Sequence, residues 1–459
     1  MILEEQYVHV IPDDWDYELG AWVETFNVGY WGVWGNGCDP DASDDVAIIG
    51  GGGREHAIAL KLKASPLLGK LFCLPGNAGI SECAVCAPVS PMDFEGIFAF
   101  CEKNGVDLVF VAPDDPLAGG LVDFLTERGV KAFGPVKAAA KIESSKAFAK
   151  DFMRKYEIPT AWYRVFESFE SAREYAQSCP LPVVVKADGL ALGKGVIICN
   201  TRSEALDALQ SVMVDARFGK SAGSKVVMEE FMTGREVTVL AFCDGKTLLP
   251  MPASQDHKKA FDGDKGLNTG GMGAFAPTPY FSSDDEIEFM QKIALPTLAG
   301  LEKEGIEFKG VLYFGLMKTG AGLKVVEYNA RFGDPETQVV LALLKSDLLE
   351  IVLATTEGRL DGTIVEWSGE TALTVVVADG GYPENVVKGK EITLGSLEGV
   401  TLIHAGTRSE DGRLKTNGGR VFDVVGVADN LEAARKKVYG QIDKVTFEGA
   451  RYRADIGLV

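Results

Sequence analysis

Hydrophobic and polar positions alternate along this chain between short apolar runs and longer amphipathic stretches. Val46-Ala47-Ile48-Ile49 is a short apolar run that meets four glycines, Gly50 to Gly53, and Arg54 to Leu62 then reads as a helix. Strand, glycine turn, helix is the opening of a doubly wound α/β domain. Further strands are expected at Lys70–Leu74, Leu108–Ala112 and Val130–Phe133, alternating with helices, so that this first domain spans residues 46–145.

From Lys146 the pattern changes. A helix through Phe152 stops before Ile158-Pro159, because proline cannot continue it, and the strand Val183–Lys186 runs into a glycine-rich loop ending at Gly195. Strands Val196–Cys199, Val226–Phe231 and Val311–Met317 follow. From about Thr371 the chain is β-rich, with strands Ala372–Ala378, Glu391–Leu394, Val400–Ala405 and Arg420–Val427 and a helix Leu431–Tyr439. The expected class is α/β: a doubly wound N-terminal domain, a central domain over 146–368 with a lid at about 162–232, and a small C-terminal α+β domain over 369–459.

The length of 459 residues suits about three domains, and 46% hydrophobic residues supply a large core. No apolar run reaches the ~18 residues of a membrane span and no signal peptide opens the chain, so a cytoplasmic protein without membrane contact is expected. The eight cysteines read as reduced thiols; Cys83 and Cys86 form the one tight pair, and without a second pair they read as packing or surface thiols rather than zinc ligands. A net charge of −20 disfavours nucleic acid, which requires clustered Lys and Arg. Residues 1–45 hold eleven acidic residues, no Lys or Arg, and four of the six tryptophans. Three readings compete for this segment: a docking element on the body of the protein, a partner-binding segment, or an upstream start that adds little; docking is favoured, since exposing those rings would leave an adhesive patch.

The chemistry concentrates in Glu327, Asn329 and Arg331. Two residues apart on a strand, Glu327 and Asn329 share a face and offer hard oxygens to Mg²⁺ or Mn²⁺, while Arg331 offers a fork of donors to a carboxylate or phosphate. The Gly50–Gly53 turn suits an anion at a helix N-terminus. A nicotinamide site is disfavoured, because the second strand ends in Pro75-Gly76-Asn77-Ala78-Gly79 where an acidic ribose ligand belongs. Lys194, flanked by Gly193 and Gly195, lacks the spacing of a Walker loop and fits a flexible phosphate cover.

Several separated motifs stand in one order: Gly50-Gly-Gly-Gly-Arg-Glu-His56, Pro75-Gly-Asn-Ala-Gly79, Lys186-Ala-Asp-Gly-Leu-Ala-Leu-Gly-Lys-Gly195, Ser254-Gln-Asp-His-Lys258, Asn268-Thr-Gly-Gly-Met-Gly273 and Asn329-Ala-Arg-Phe-Gly-Asp-Pro-Glu-Thr-Gln338, closed by His404-Ala-Gly-Thr407, Asn417-Gly-Gly-Arg420 and Asp455-Ile-Gly457. In this the chain, from Val46 onward, resembles the phosphoribosylamine–glycine ligase family of the ATP-grasp superfamily. The resemblance implies an ATP-dependent ligase of de novo purine synthesis that joins glycine to 5-phosphoribosylamine through glycyl phosphate.

It also implies roles. Lys146, Lys186 and the lid residue Lys194 would contact the phosphates of ATP; Glu229, Glu230 and Phe231 would read adenine through backbone groups and Glu236 would take the ribose hydroxyls. Glu327 and Asn329 would hold Mg²⁺ or Mn²⁺. Arg331 would clamp the glycine carboxylate, with Lys186 and Asp256 beside it as catalytic residues, Asp256 near the amino group or else capping a loop. Gly52, Gly53, Arg54, Asn77 and Gly79, with Lys258, Gly333 and Asp334, would bind the remaining substrate groups; His56 would either pack its helix or touch ligand. Two departures stand out: the strand Val311–Met317 carries no carboxylate, and Asp114 stands where the family shows Glu, leaving a ribose contact there open. The expected partners are the small substrates, with transient contact to the upstream phosphoribosylamine-producing enzyme. The alternatives are another ATP-grasp carboxylate–amine ligase or carboxylase of purine synthesis, or a nucleotide-binding regulator without turnover.

Overall fold

A computed structural model describes residues 43–190, 195–215 and 223–458; the leader through residue 42 and Lys194 lie outside the described residues. The first sheet is five-stranded, ordered Val85–Cys86, Leu68–Pro75, Asp44–Gly50, Leu108–Val111 and Lys131–Phe133. Leu108–Val111 runs parallel to both of its neighbours, and Leu68–Pro75 runs parallel to Val85–Cys86. The central strands are apolar on both faces, as a sheet covered on both sides requires. The two-residue strand Val85–Cys86 has no counterpart among the expected elements, since so short a run has no period to read. At the first turn Gly50 has φ +118°, a region side chains rarely enter, and a Cβ on Gly51 would lie 2.4 Å from the Gly76 carbonyl oxygen. Glycine is required here for the two loops to touch.

The central region has two antiparallel sheets. One, ordered Tyr163–Phe166, Val226–Glu230, Val183–Ala187 and Val196–Cys199, lies within the expected lid. The other, ordered Leu248–Pro250, Arg235–Asp244, Lys309–Thr319 and Gly322–Asn329, carries the Glu327 strand on its edge. The C-terminal strands Thr371–Asp379, Arg420–Ala428 and Thr401–His404 do not form a closed unit. Gly273–Ala276 pairs with Thr371–Asp379 and Gln255–Asp256 with Gly273–Ala276, so one sheet crosses the expected boundary at 369. No helix among the described residues is long and apolar enough to cross a membrane.

The N-terminal and central sheets share a core in which Phe332 is the plug. Buried to 2% exposure, its ring lies 6.2 Å from Phe110 and 6.0 Å from Phe242, and its carbonyl accepts bonds from Arg54 and Arg331. One apolar side chain thus fixes the backbone between two guanidinium groups. Phe332→Ala is expected to lower the unfolding free energy by about 3–5 kcal/mol, the usual cost of emptying an aromatic core site. Urea unfolding of Phe332→Ala and Phe332→Leu checks this: Leu should recover more than half of the loss, and an Ala variant within about 1 kcal/mol of the parent would remove Phe332 from the core.

Candidate active site

The glycine turn is fastened from below. The Gly52 N–H donates to Glu55 Oε2 (2.5 Å) and Arg54 Nε donates to Glu55 Oε1 (2.9 Å), while an Arg54 terminal nitrogen bonds the Phe332 carbonyl (2.8 Å). Asn77 uses its amide nitrogen on the carbonyls of Gly51 (3.0 Å) and His404 (2.8 Å), and its oxygen accepts the Ile80 N–H. Its amide therefore ties loops together at the cleft wall. Gly79 is not on the cleft: a Cβ there would meet the rings of His404 and His56 at 2.5 Å. His56 is likewise a packing residue. Its Nδ1 accepts the His404 N–H (2.7 Å), and burial first, then His404, pushes it down to about 3, so the ring is neutral.

On the strand Gly322–Asn329, Tyr328 turns to the core while Glu327 and Asn329 turn to the cleft, as strand alternation demands. Glu327 lies opposite Gly315, where a Cβ would stand 3.2 Å from its Cγ. A side chain at position 315 would therefore crowd Glu327. Burial pushes the Glu327 carboxyl up, but Lys258, Lys186, Lys146 and Arg331 outweigh it and hold it below the usual range. Among the described residues no cluster of three or more His, Cys, Asp or Glu could hold a metal, so any ion here has few protein ligands. Arg331 is anchored from behind by Glu143 (2.9 Å), whose other oxygen accepts the Ala330 N–H (2.8 Å). Its Nε is buried without a partner.

The lysines come from two elements. Ser145 caps the helix Lys146–Lys155 by accepting the Phe148 N–H, and Asp188 from the glycine loop accepts the Ser145 hydroxyl (3.1 Å) and the Ala147 N–H (3.0 Å). The loop and the helix start are thus coupled, and Lys146 bonds the Gly189 carbonyl (3.0 Å). Lys186 reaches Glu229 Oε1, and Lys150 lies 2.8 Å from Glu229 Oε2. Burial pushes Glu229 up, yet these two ammonium groups hold it below the usual range. Glu229 is therefore a buried anchor for cations, and its carboxylate does not face a nucleoside. Glu230 pairs with Lys324 (3.4 Å), and Glu236 with Lys258 (3.0 Å). Asp256, on a two-residue strand, is pushed up to about 7 by burial, with Lys258 pulling down and Glu336, Glu236 and Glu327 pushing up.

One cleft of about 1160 Å³ collects these groups: Lys146, Lys186, Glu229, Glu230, Phe231, Glu236, Gly52, Gly53, Arg54, Asn77, Asp256, Lys258, Glu327, Asn329, Arg331 and Asp334 all line it. Gly333 does not; it packs on Glu336, whose oxygen a Cβ would meet at 2.4 Å. Asp114 also lines the wall. Sequence reasoning missed Glu143, Lys150, Tyr313, Glu336 and Arg420. Tyr313 donates to Glu336 (2.9 Å), and Arg420 pairs with Asp334 (2.9 Å) and bonds the Gly270 carbonyl (2.8 Å). For Lys150 a signal existed, since it falls one helical turn after Lys146 on the same face.

Comparison with known proteins gives matches over nearly the whole described body. The family descriptions "Phosphoribosylglycinamide synthetase" N domain, ATP-grasp (A) domain and C domain match residues 44–143, 144–337 and 372–459. Proteins named phosphoribosylamine–glycine ligase from Halalkalibacterium halodurans and Brucella melitensis are 47% and 46% identical over 90% of this chain, covering 96% and 97% of their own lengths. A crystal structure of phosphoribosylamine–glycine ligase from Thermotoga maritima superposes with a TM-score of 0.78 at 38% identity, covering 90% of this chain and all of that one. A biotin carboxylase domain from Hydrogenobacter thermophilus, solved with MgADP, shares the fold at 15% identity (TM-score 0.70, 89% and 91% coverage).

Glu143→Gln keeps an acceptor for the Ala330 N–H and removes the charge behind Arg331. Unpairing a buried charge costs roughly 3–5 kcal/mol, and the partial exposure of Arg331 brings the expected loss of stability to about 2 kcal/mol. A variant whose urea midpoint matches the parent would show that Glu143 does not anchor Arg331.

Proposed function

Because the chain belongs to the phosphoribosylamine–glycine ligase family, a family of C–N bond-forming ATP-grasp enzymes, we propose that its cleft joins glycine to 5-phosphoribosylamine with ATP converted to ADP and phosphate. The observation that carries this reading is the convergence of Lys146, Lys186, Glu327, Asn329 and Arg331 on one cleft. The glycine carboxylate attacks the γ-phosphorus and ADP leaves, giving glycyl phosphate. The ribosylamine nitrogen then attacks the acyl carbon and phosphate departs, with one proton lost from nitrogen. Both steps depend on positioning and charge neutralisation more than on covalent help from the protein.

Lys146 and Lys186 supply positive charge to the phosphates. Arg331 is held by Glu143 and lines the cleft, where its guanidinium suits a substrate carboxylate. Glu327 stays ionised and Asn329 offers an amide oxygen from the same strand face, so the pair fits a divalent cation. With two protein oxygens only, the pair would suit Mg²⁺ better than an ion seeking a full protein cage. Bound there, the ion would supply positive charge to the phosphates. The Gly52–Arg54 turn, with Asp334 opposite, receives the phosphoribosyl end, where the helix N-terminus favours an anion. No nucleic acid is part of this chemistry.

A coupled ADP-release assay with freshly made phosphoribosylamine tests the reading. ADP should appear only when glycine and the amine are both present, and Glu327→Ala should abolish turnover without changing the folded circular dichroism spectrum. ADP release independent of glycine, or near-normal turnover in Glu327→Ala, would overturn it. A second outcome follows from Asp256, which we place against the substrate ammonium. That group binds the carboxylate form, which gains population as pH rises through about 7. The KM for glycine should therefore fall by about tenfold between pH 6 and pH 8, following the ionised fraction of one acid, and then level off. Asp256→Asn should lose this limb, and a flat wild-type profile would take Asp256 out of contact with the amine.

A further inference from the structure

Lys150 has no part in either step of the ligation, yet it is one of the most buried ammonium groups in the molecule. It is 2% exposed, and its ammonium meets Glu229 Oε2 and the Thr160 hydroxyl, each at 2.8 Å. Thr160 in turn donates to the Val325 carbonyl (2.7 Å), two residues before Glu327, and the Val325 N–H bonds the Pro159 carbonyl (2.8 Å). The side chain is thus held by the strand that carries Glu327, by the strand that carries Glu229 and by its own helix, which begins at Lys146. A lysine kept for solubility would extend into water; this one is enclosed where desolvation disfavours its charge.

Its effect is on the oxygen inventory of Glu229. A carboxylate presents two oxygens and about four lone-pair sites. Lys150 lies against Oε2 as an ion pair and Lys186 against Oε1, so the carboxylate is divided between two cations. Two ammonium groups against one carboxylate leave a net charge of +1 at the cleft floor. Were Lys150 absent, Glu229 would neutralise Lys186 alone, and that surplus would vanish where triphosphate oxygens must bind.

We propose that Lys150 is a positioning residue for the nucleotide: it shares Glu229 with Lys186, so that Lys186 keeps both its orientation and an uncompensated positive charge for the phosphates of ATP. This rests on the phosphate-binding role given to Lys186 under the proposed function. The arithmetic makes an unusual demand. K150M leaves the floor at zero, E229Q leaves it at +2, and K150M/E229Q returns it to +1, with Lys186 bonded to the amide oxygen that replaces the carboxylate. A second substitution should restore what the first removes.

The test measures ATP affinity, with Mg²⁺ present, and adenosine affinity by isothermal titration calorimetry on the full chain. K150M should bind ATP about tenfold more weakly, because one unit of positive charge facing the phosphates is cancelled, with adenosine affinity unchanged. K150M/E229Q should recover to within about threefold of the parent. A lysine that merely fills space would not be rescued in this way. Parent-like ATP affinity in K150M, or a double variant no tighter than K150M, would overturn the proposal. Should K150M fail to fold, the double variant decides alone, because it removes the ammonium and the carboxylate together: a tenfold loss of ATP affinity in it overturns the proposal. K186M separates the two levels. If K186M binds ATP normally, the phosphate role of Lys186 fails and this inference with it; if K186M is impaired while K150M is not, only the role of Lys150 falls.

Discussion

Positive charge has to be held inside a protein without being cancelled, and that constraint orders the whole cleft. Lys186, Lys258, Arg331 and Arg54 each have a carboxylate attached to one side: Glu229, Glu236, Glu143 and Glu55 respectively. Such pairs contribute little net stability, since desolvation consumes most of what attraction returns. Their value is directional. A carboxylate paired with each cation fixes its orientation in the cleft, where Glu327 stands ionised in the combined field of Lys258, Lys186, Lys146 and Arg331.

The fold delivers these groups from distant parts of the chain by a few rigid supports. Phe332 fills the seam between two sheets and presents its carbonyl to Arg54 and Arg331, which lie 277 positions apart in sequence, as their numbers give (331 − 54). Asp188 caps the helix that begins at Lys146 and so ties the glycine loop to the cation beneath it. Arg420 joins Asp334 to the Gly270 carbonyl and brings the C-terminal section into the wall of the cleft. Preorganisation of this kind suits a reaction whose intermediate, an acyl phosphate, reacts with water.

Much of this is legible in the order of residues alone. Alternation and length locate four of the five strands of the first sheet and the four expected C-terminal strands to within a residue or two, while Val85–Cys86, Thr407–Glu410, Arg413–Thr416, Val445–Phe447 and Ala450–Arg451 escape, being too brief to show a period. Glu327, Asn329 and Arg331 are legible because strand periodicity by itself puts the first two on one face. What escapes has a common character. Glu143, Lys150 and Glu336 sit on helices among ordinary charged and apolar neighbours, and only tertiary contact distinguishes a buried acid or lysine from a solvated one. Glu229 is located correctly, but the partners of its side chain are not legible. It stands at a strand end beside Glu230 and Phe231, and nothing local reveals that its carboxylate turns inward to two ammonium groups. Gly79 and Gly333 read as ligand contacts, whereas their missing side chains make room for His404, His56 and Glu336.

The sheet that pairs Gly273–Ala276 with Thr371–Asp379 has a further bearing. Family resemblance divides the chain at residues 337 and 372, yet hydrogen bonds run straight across that division. Cut there, the last portion would lose the neighbour that completes its sheet, and the middle portion would be left with a bare edge open to pairing with any passing chain. The segments that inheritance treats as separate are therefore not separable as folding bodies, and grafting one of them from a distant cousin would have to carry its pairing strand along.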